Sequence, residues 1–277
     1  MLQERVSSDI YVFTSDLYAQ VTSGVIMTAE GTVIIDTLPF PIEARAMAQF
    51  VARRSNSVRH IILTHYHADH TYGAYLFPDV NVLAHARCRQ LLETRGREGL
   101  AAAQAESPEL QEVALRLPNL TFDEGEIDLC LGGKSMRLFH TPGHSDDVIS
   151  VWVEEDHVLF ASDTVMPVPL VVDGDLETLQ ASLRRLMTMQ PDCIVPGHGE
   201  VILRGEVQEF LQRLIDYLDT IREVVLKTIA GGRKRETLLQ VDIEKCGLSR
   251  VALNGRAPDL HRANLLSLYD RLIQHAE

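Results

Sequence analysis

The feature that most constrains this 277-residue chain is a histidine-rich segment that directly follows an apolar run. Residues 60–64 have the apolar composition of a buried strand, and four metal-competent side chains come within the next six positions: His65, His67, Asp69 and His70. In an extended stretch, alternate side chains project together, while the adjacent Asp69 and His70 can serve a neighbouring point. The spacing predicts two metal sites side by side, against the alternative of a polar loop that happens to be rich in histidine.

Three further candidate ligands follow strand-like runs later in the chain: His144, Asp163 and His198. His144 and His198 each come directly after a Pro-Gly pair, which fixes the backbone of a turn. Loops at strand ends are where functional residues concentrate, although each of these three alone could be a turn residue or a helix cap. Together with the first segment they make five histidines and two aspartates. Nitrogen and carboxylate ligands of this kind suit borderline divalent cations such as Zn²⁺.

The pattern along the chain predicts an α/β protein in which strands and helices alternate twice. In the first 204 residues strand-like runs alternate with helical periods, and helices are predicted at 41–54, 84–99, 107–117 and 176–189. Residues 1–204 carry 28 acidic and 15 basic side chains, whereas residues 205–277 carry 11 of each. We therefore expect a domain at 1–204 and a C-terminal helical extension at 205–277. The apolar stripes of that extension would pack on the domain, cover its cleft or form the interface of a homodimer.

Composition narrows the functions that such a chain can have. A hydrophobic fraction of 45% is enough for a sizeable core, and 39 acidic against 26 basic residues give a net charge of −13. That balance argues against a nucleic-acid partner, because binding to a phosphate backbone depends on Lys and Arg. No apolar run reaches the ~20 residues that a membrane-spanning helix needs, and the first residues lack the layout of a signal peptide. We expect a small-molecule substrate, no membrane contact and a cytoplasmic location.

The H-x-H-x-D-H segment at 65–70, taken with the three later candidates, resembles the signature of the metallo-β-lactamase fold superfamily. The resemblance covers about residues 10–204 and includes the apolar strand that ends at Asp36. It implies an α/β fold, a four-layer αββα sandwich of two mixed sheets, with metals in a cleft at one edge. It further implies that a first metal is held by His65, His67 and His144. A second metal would be held by Asp69, His70 and His198, and Asp163 would bridge the two.

This ligand set is shared by the glyoxalase II and acyl-homoserine lactonase branches, so the resemblance implies a dinuclear metal-dependent hydrolase. Asp163 and His70 stand where zinc β-lactamases of the commonest class carry a cysteine and a non-histidine residue, which disfavours antibiotic hydrolysis. Residues 164–167 also lack the C-G-R segment of the glyoxalase II group.

The implied cofactors are two divalent ions, zinc first, with manganese or iron as alternatives. A hydroxide that bridges the ions beside Asp69 and Asp163 would attack a small ester, lactone or thioester. Other hypotheses stay open: phosphodiesterase or weak β-lactamase activity, a mononuclear-iron oxygenase, and a non-catalytic metal-binding module.

Residues next to the ligands are candidates for supporting roles. Ser145, Asp146 and Asp147 follow His144 and could orient the ligands, or they could form an Asx turn with a solvated carboxylate. Tyr66 and Tyr72 flank the first segment, where each could pack against a sheet or donate a hydrogen bond to substrate.

Overall fold

The computed structural model describes residues 1–55 and 57–274, and within them the chain forms two β-sheets. The first sheet has seven strands that follow one another in sequence order: β1 (Leu2–Arg5), β2 (Ile10–Thr14), β3 (Thr22–Thr28), β4 (Gly31–Ile35), β5 (Val58–Ile62), β6 (Asn81–His85) and β7 (Leu120–Phe122). Strands β1 to β4 form an antiparallel meander, and β5 to β7 extend the sheet in parallel. Parallel neighbours need a long crossover connection, and helical segments supply it here.

The second sheet has six strands, which lie in the order β13-β12-β11-β10-β9-β8. Their bounds are β8 (Glu126–Leu131), β9 (Lys134–His140), β10 (Ile149–Val153), β11 (Val158–Ser162), β12 (Cys193–Pro196) and β13 (Ile202–Leu203). Only β11 and β12 pair in parallel among these neighbours, because a helix connects them.

Seven α-helices occur in the part of the chain that the structure describes. They are α1 (Pro41–Ala52), α2 (Ala68–Thr71), α3 (Ala86–Leu91), α4 (Arg97–Glu106), α5 (Leu176–Met189), α6 (Val207–Ala230) and α7 (Ala257–Gln274). A π-helical turn at Leu92–Gly96 joins α3 to α4. Short 3-10 segments lie at Tyr72–Leu76, Pro108–Leu110, Arg235–Gln240, Ile243–Cys246 and Leu253–Gly255.

Three apolar layers hold these elements together. The inner faces of the two sheets pack on each other, for example through Ile26 of β3, Leu138 of β9 and Val151 of β10. Outside the first sheet α1 contributes Met47 to a second layer. Outside the second sheet α5, α6 and α7 form the third layer. Because each sheet is buried on both faces, central strands such as β10 and β11 are buried at every position rather than at alternate ones. The predicted αββα sandwich with a helical C-terminal part is confirmed.

On the outside of the second sheet, α6 lies against α5 and α7 lies against α6. Leu211 and Leu218 of α6 and Leu265 of α7 are fully buried there. The predicted apolar stripe of α6 therefore packs within this chain, while the expected homodimer stays a prediction. Among the described residues, the long helices are all too polar to qualify as candidate membrane spans.

Two predicted helices differ from the structure. The prediction of a helix at 107–117 is wrong, since only the turn at Pro108–Leu110 is helical. There the Nε2 of Gln104 donates to the carbonyls of Leu110 and Val113, both at 3.0 Å, so these oxygens bond a side chain instead of a helix backbone. The helix predicted from residue 84 begins at Ala86, because 84 and 85 complete β6.

Candidate metal centre

The structure brings all seven candidate ligands together at one edge of the sandwich. His65 and His67 follow β5, and Asp69 and His70 lie on α2. The other three follow strands of the second sheet: His144 after β9, Asp163 after β11 and His198 after β12. The two sheets meet at this edge, where the amide of Ile149 donates to the carbonyl of Thr64 at 2.9 Å. The loops that end these strands therefore face one another.

The seven side chains form two groups whose ligand atoms lie within 4.8 Å of one another. The first group contains His65, His67, His144 and Asp163, and the second contains Asp69, His70 and His198. This division has the membership that the sequence resemblance implies. Whether each side chain binds a metal stays a prediction.

Three imidazole nitrogens converge in the first group. The Nδ1 of His67 lies 3.0 Å from the Nε2 of His65 and 2.9 Å from the Nε2 of His144. Burial lowers the pKa of His144 to about 4 and holds the pKa of His65 well below its usual range. Both rings are therefore neutral at physiological pH, which is the form that binds a metal.

The carboxylate of Asp163 lies between the two groups. Its Oδ1 is 3.3 Å from the Nε2 of His70, and its Oδ2 is 3.3 Å from the Nε2 of His144 and 3.5 Å from the Nε2 of His198. The second group closes through Asp69, whose Oδ2 is 3.3 Å from the same nitrogen of His198. One buried carboxylate thus faces ligand atoms from both groups.

The carboxylates at the second group favour a positive charge beside them. Burial alone would lower the pKa of His198, but the carboxylates of Asp163 and Asp69 outweigh it and raise that pKa to about 10. The same two carboxylates hold the pKa of His70 well above its usual range despite burial. In the protein alone, protons on these imidazoles balance the carboxylates, and a bound cation would replace those protons.

The ring nitrogens that face away from the groups bond to neighbouring oxygens. The Nδ1 of His70 lies 2.8 Å from the Oδ2 of Asp36. The Nδ1 of His144 lies 3.0 Å from the carbonyl of Leu170, and that of His198 lies 2.9 Å from the carbonyl of Ala19. In the neutral ring a hydrogen bond of this kind fixes the tautomer, so the opposite nitrogen offers its lone pair to a cation that has displaced any proton there.

Backbone geometry around Asp163 is tightly constrained. Ser162, which precedes it, has φ of +49° in the left-handed region that a serine rarely adopts. Gly197 packs so closely that a Cβ at that position would lie 1.8 Å from the Oδ1 of Asp163. The glycine of the second Pro-Gly pair is therefore required for close approach rather than only for a turn.

The chemistry of the donor atoms suits divalent cations. The Oδ1 of Asp163 and the Nε2 of His70 are buried and have no hydrogen-bond partner among the described residues. Buried polar atoms without a partner are costly, and a cation would satisfy both. The donors are imidazole nitrogens and carboxylate oxygens, which Zn²⁺ and similar ions accept.

The residues that follow His144 differ in burial and in whether they contact the ligand loops. Asp147 is buried and accepts hydrogen bonds from the amide of Tyr66 at 2.8 Å and the hydroxyl of Ser145 at 2.6 Å. It therefore ties the loop of His144 to the loop of His65 and His67. Asp146 is exposed and makes no such connection to the ligands.

A cavity of about 530 Å³ lies beside the loop that carries His198. Gln20 and Gly199 line one wall, and Phe210, Arg213 and Leu253 of the C-terminal part line the other. The cavity adjoins the second group through the sequence neighbour of His198. It is large enough to admit a small molecule, and none of the seven candidate ligands is among its lining residues.

Several residues of this site were not predicted from the sequence. The carbonyls of Ala19 and Leu170 belong to residues whose side chains carry no signal. Asp36 could have been identified from the sequence, because it follows the apolar strand β4 just as Asp163 follows β11. The same rule that selects Asp163 would have selected it.

Comparison with known proteins agrees with the fold. A family model described as the metallo-β-lactamase superfamily matches residues 18–198. The lactamase-like protein nscB of Arthroderma benhamiae is 25% identical over 238 residues, covering 83% of this chain and 48% of that protein. The thioesterase pkgB of Emericella nidulans is 30% identical over 181 residues, covering 64% of this chain and 45% of that protein. The chain thus spans about half the length of these two curated relatives.

A solved structure has the same fold. The metallo-β-lactamase family protein of Thermus thermophilus aligns with a TM-score of 0.72 at 20% identity, over 98% of this chain and 95% of that one. The region matched by the family model contains all seven candidate ligands and more than half of the chain. The chain therefore belongs to the metallo-β-lactamase superfamily.

Proposed function

We propose that this protein is a hydrolase that uses two divalent cations to cleave a small ester, lactone or thioester. Zinc is the preferred metal in this proposal, and manganese and iron are the alternatives. The observation that carries the proposal is the position of Asp163. Its two carboxylate oxygens face His70 on one side and His144 on the other, each at 3.3 Å. A buried carboxylate between two groups of imidazole donors is the arrangement that holds two cations close together.

When bound, a pair of such cations polarises the bond to be cleaved and supplies a nucleophilic water at neutral pH. In this proposal His65, His67 and His144 hold one cation, and Asp69, His70 and His198 hold the other. Asp163, which faces donors of both groups, would help to hold both cations. The cations would attract the oxygen of a carbonyl group. The aspartates would lower the net positive charge of the site, so an anionic product would not be retained strongly.

Two phenols, the partly buried Tyr18 and the buried Tyr72, lie near Asp69 and are candidates for substrate binding. The charge of Asp69 raises the pKa of Tyr18, while burial and then Asp69 raise that of Tyr72. Both hydroxyls therefore stay protonated at neutral pH and can donate a hydrogen bond to a substrate oxygen. The guanidinium of Arg256 lies 5.1 Å from the ring centroid of Tyr18 and provides a positive charge nearby.

The substrate class rests on three supports. The thioesterase relative favours an acyl compound. The adjacent cavity has a mixed lining, in which Phe210 and Leu253 suit the body of a small acyl group beside the charged Glu206, Glu209 and Arg213. The net charge of −13 disfavours polyanions such as nucleic acids.

Turnover measured on protein of known metal content tests the proposal. The panel contains a thioester, an ester, a lactone, a phosphodiester and a β-lactam, each assayed with zinc-loaded and with chelator-treated protein. We expect metal-dependent cleavage of at least one of the first three. One iron per chain with oxygen consumption, or metal binding without turnover of any of the three, would contradict it.

A further inference from the structure

The loop between β11 and α5, residues 164–175, supports two candidate ligands of the first group at once. The carbonyl of Leu170 accepts a hydrogen bond from the Nδ1 of His144 at 3.0 Å. The Oδ2 of Asp173 lies 3.7 Å from the Nε2 of His67, close enough for electrostatic attraction. In each imidazole this is the nitrogen that faces away from the group, because the other two nitrogens lie 2.9 Å apart. The 164–175 loop therefore backs both rings from outside.

Asp173 is itself held in place by two hydrogen-bond donors. The hydroxyl of Tyr66 donates to its Oδ2 at 2.6 Å, and the Nη1 of Arg95 donates to its Oδ1 at 2.7 Å. The carboxylate of Asp173 thus faces the outer nitrogen of His67 from a position that two donors fix.

The 164–175 loop contains no helix or strand, so its backbone groups need partners from elsewhere. Asn264 of α7 provides two of them: its Oδ1 accepts from the amide of Val171 at 2.9 Å, and its Nδ2 donates to the carbonyl of Pro169 at 2.6 Å. These two bonds flank Leu170, whose carbonyl bonds His144. Asn264 is fully buried, and its Nδ2 also lies 3.2 Å from the hydroxyl of Tyr217 on α6.

Arg271, two turns further along α7, bonds the next part of the loop. Its Nη2 donates to the carbonyl of Val171 at 2.9 Å and also bonds the carbonyl of Val172, while its Nη1 bonds the carbonyl of Gly174. These carbonyls lie on both sides of Asp173. One guanidinium therefore fixes the stretch of backbone that presents this carboxylate.

We propose that Asn264 and Arg271 of helix α7 are positioning residues for the first cation: they hold the 164–175 loop so that Leu170 and Asp173 orient His144 and His67. The inference rests on the proposed function, since it requires a cation in the first group. Outer partners of metal-binding histidines typically change metal affinity by about 10–100-fold. The C-terminal helical part then serves the metal centre from a distance, through backbone carbonyls.

Zinc affinity, measured by competition with a chromophoric chelator, tests this on the full chain. His67→Ala and His198→Ala assign the two binding steps to the first and second groups. Arg271→Ala acts through the loop, so it is expected to weaken zinc binding in the first group by about tenfold, the lower end of that range, and to change the second group by less than about threefold. Arg262→Ala is the matched control, because this exposed arginine of α7 pairs with Asp259 and not with the loop.

A second variant, Asp173→Asn, leaves α7 untouched and is expected to weaken the same binding step. It keeps the inference testable if Arg271→Ala does not fold. Zinc affinities equal to those of the parent in both variants, or equal weakening of both groups, would overturn the inference while leaving the proposed function intact. A parent chain that binds no zinc would overturn both.

Discussion

Replacement of Asp36 by asparagine tests how the metal centre is oriented. This buried carboxylate accepts three hydrogen bonds. Its Oδ1 bonds the amide of Thr64 at 2.8 Å, and its Oδ2 bonds the hydroxyl of Thr64 at 2.7 Å and the Nδ1 of His70 at 2.8 Å. Asp36→Asn has nearly the same shape, so it changes the hydrogen bonding without opening a cavity.

The loss of folding free energy in Asp36→Asn depends on which of the three hydrogen bonds the asparagine can still accept. If the amide oxygen keeps the bond to the Thr64 amide, the new NH₂ group faces the Nδ1 of His70. Either two donors then oppose each other, or His70 adopts the tautomer that carries its proton on Nε2. A lost hydrogen bond to a charged acceptor costs about 1.5–3 kcal/mol of folding free energy. A proton on Nε2 also removes the lone pair that would bind the cation, so zinc affinity in the second group should fall by at least about 10–100-fold.

Two measurements read these effects separately. Urea denaturation in the presence of a chelator gives the folding free energy, and chelator competition gives the zinc affinity of each group. Asp128→Asn is the matched control, since that side chain is 68% exposed on β8 and should change the folding free energy by less than about 1 kcal/mol. An Asp36→Asn protein that keeps the parent's stability and binds two zinc ions with the parent's affinities would refute this reasoning.

Three further predictions concern the same centre. Asp163→Ala should abolish hydrolysis and reduce zinc content measured by mass spectrometry, whereas His157→Asn, a change at an exposed histidine, should alter neither. Gly197→Ala should displace the Asp163 carboxylate and lower zinc affinity by at least tenfold or about 1.4 kcal/mol, while Gly205→Ala, with no atom within 4 Å of its Cβ, should not. The pKa of His198 is raised to about 10 in the metal-free protein, from about 6.5 in the unfolded chain. Its imidazolium therefore stabilises the fold fully below pH about 6.5, and this contribution is lost as pH rises through 10. Zinc binding must then release the protons of both His198 and His70, so the zinc affinity of the second group should rise by at least about tenfold per pH unit between 7 and 9. Calorimetry in two buffers that finds no proton release would contradict this.

Elements with a clear apolar period could be predicted from the sequence closely. The helix predicted at 176–189 matches α5 residue for residue, because Leu179, Leu183 and Leu186 repeat on one face and Asp175 caps its N-terminus. The candidate ligands could be found for a similar reason. They are polar residues placed directly after apolar strands, and parallel strand ends at one sheet edge bring such residues together.

Other features depend on contacts that local sequence does not encode. The strand β1 is largely exposed and polar, so it has no alternating pattern, and only pairing with β2 defines it. The oxygens that bond His144 and His198 are backbone carbonyls, 26 and 179 residues away in the chain. The role of Asn264 is equally hidden, because a polar residue within a helical period gives no indication that it binds a loop 93 residues earlier.

The measurement that tests the central claim most directly is anomalous diffraction at the zinc absorption edge from crystals of the zinc-loaded protein. The proposed function predicts two anomalous peaks per chain, joined by the carboxylate of Asp163. One peak should lie among the ring nitrogens of the first group and the other among the donors of the second. A single peak, or peaks that Asp163 does not contact, would contradict the dinuclear centre.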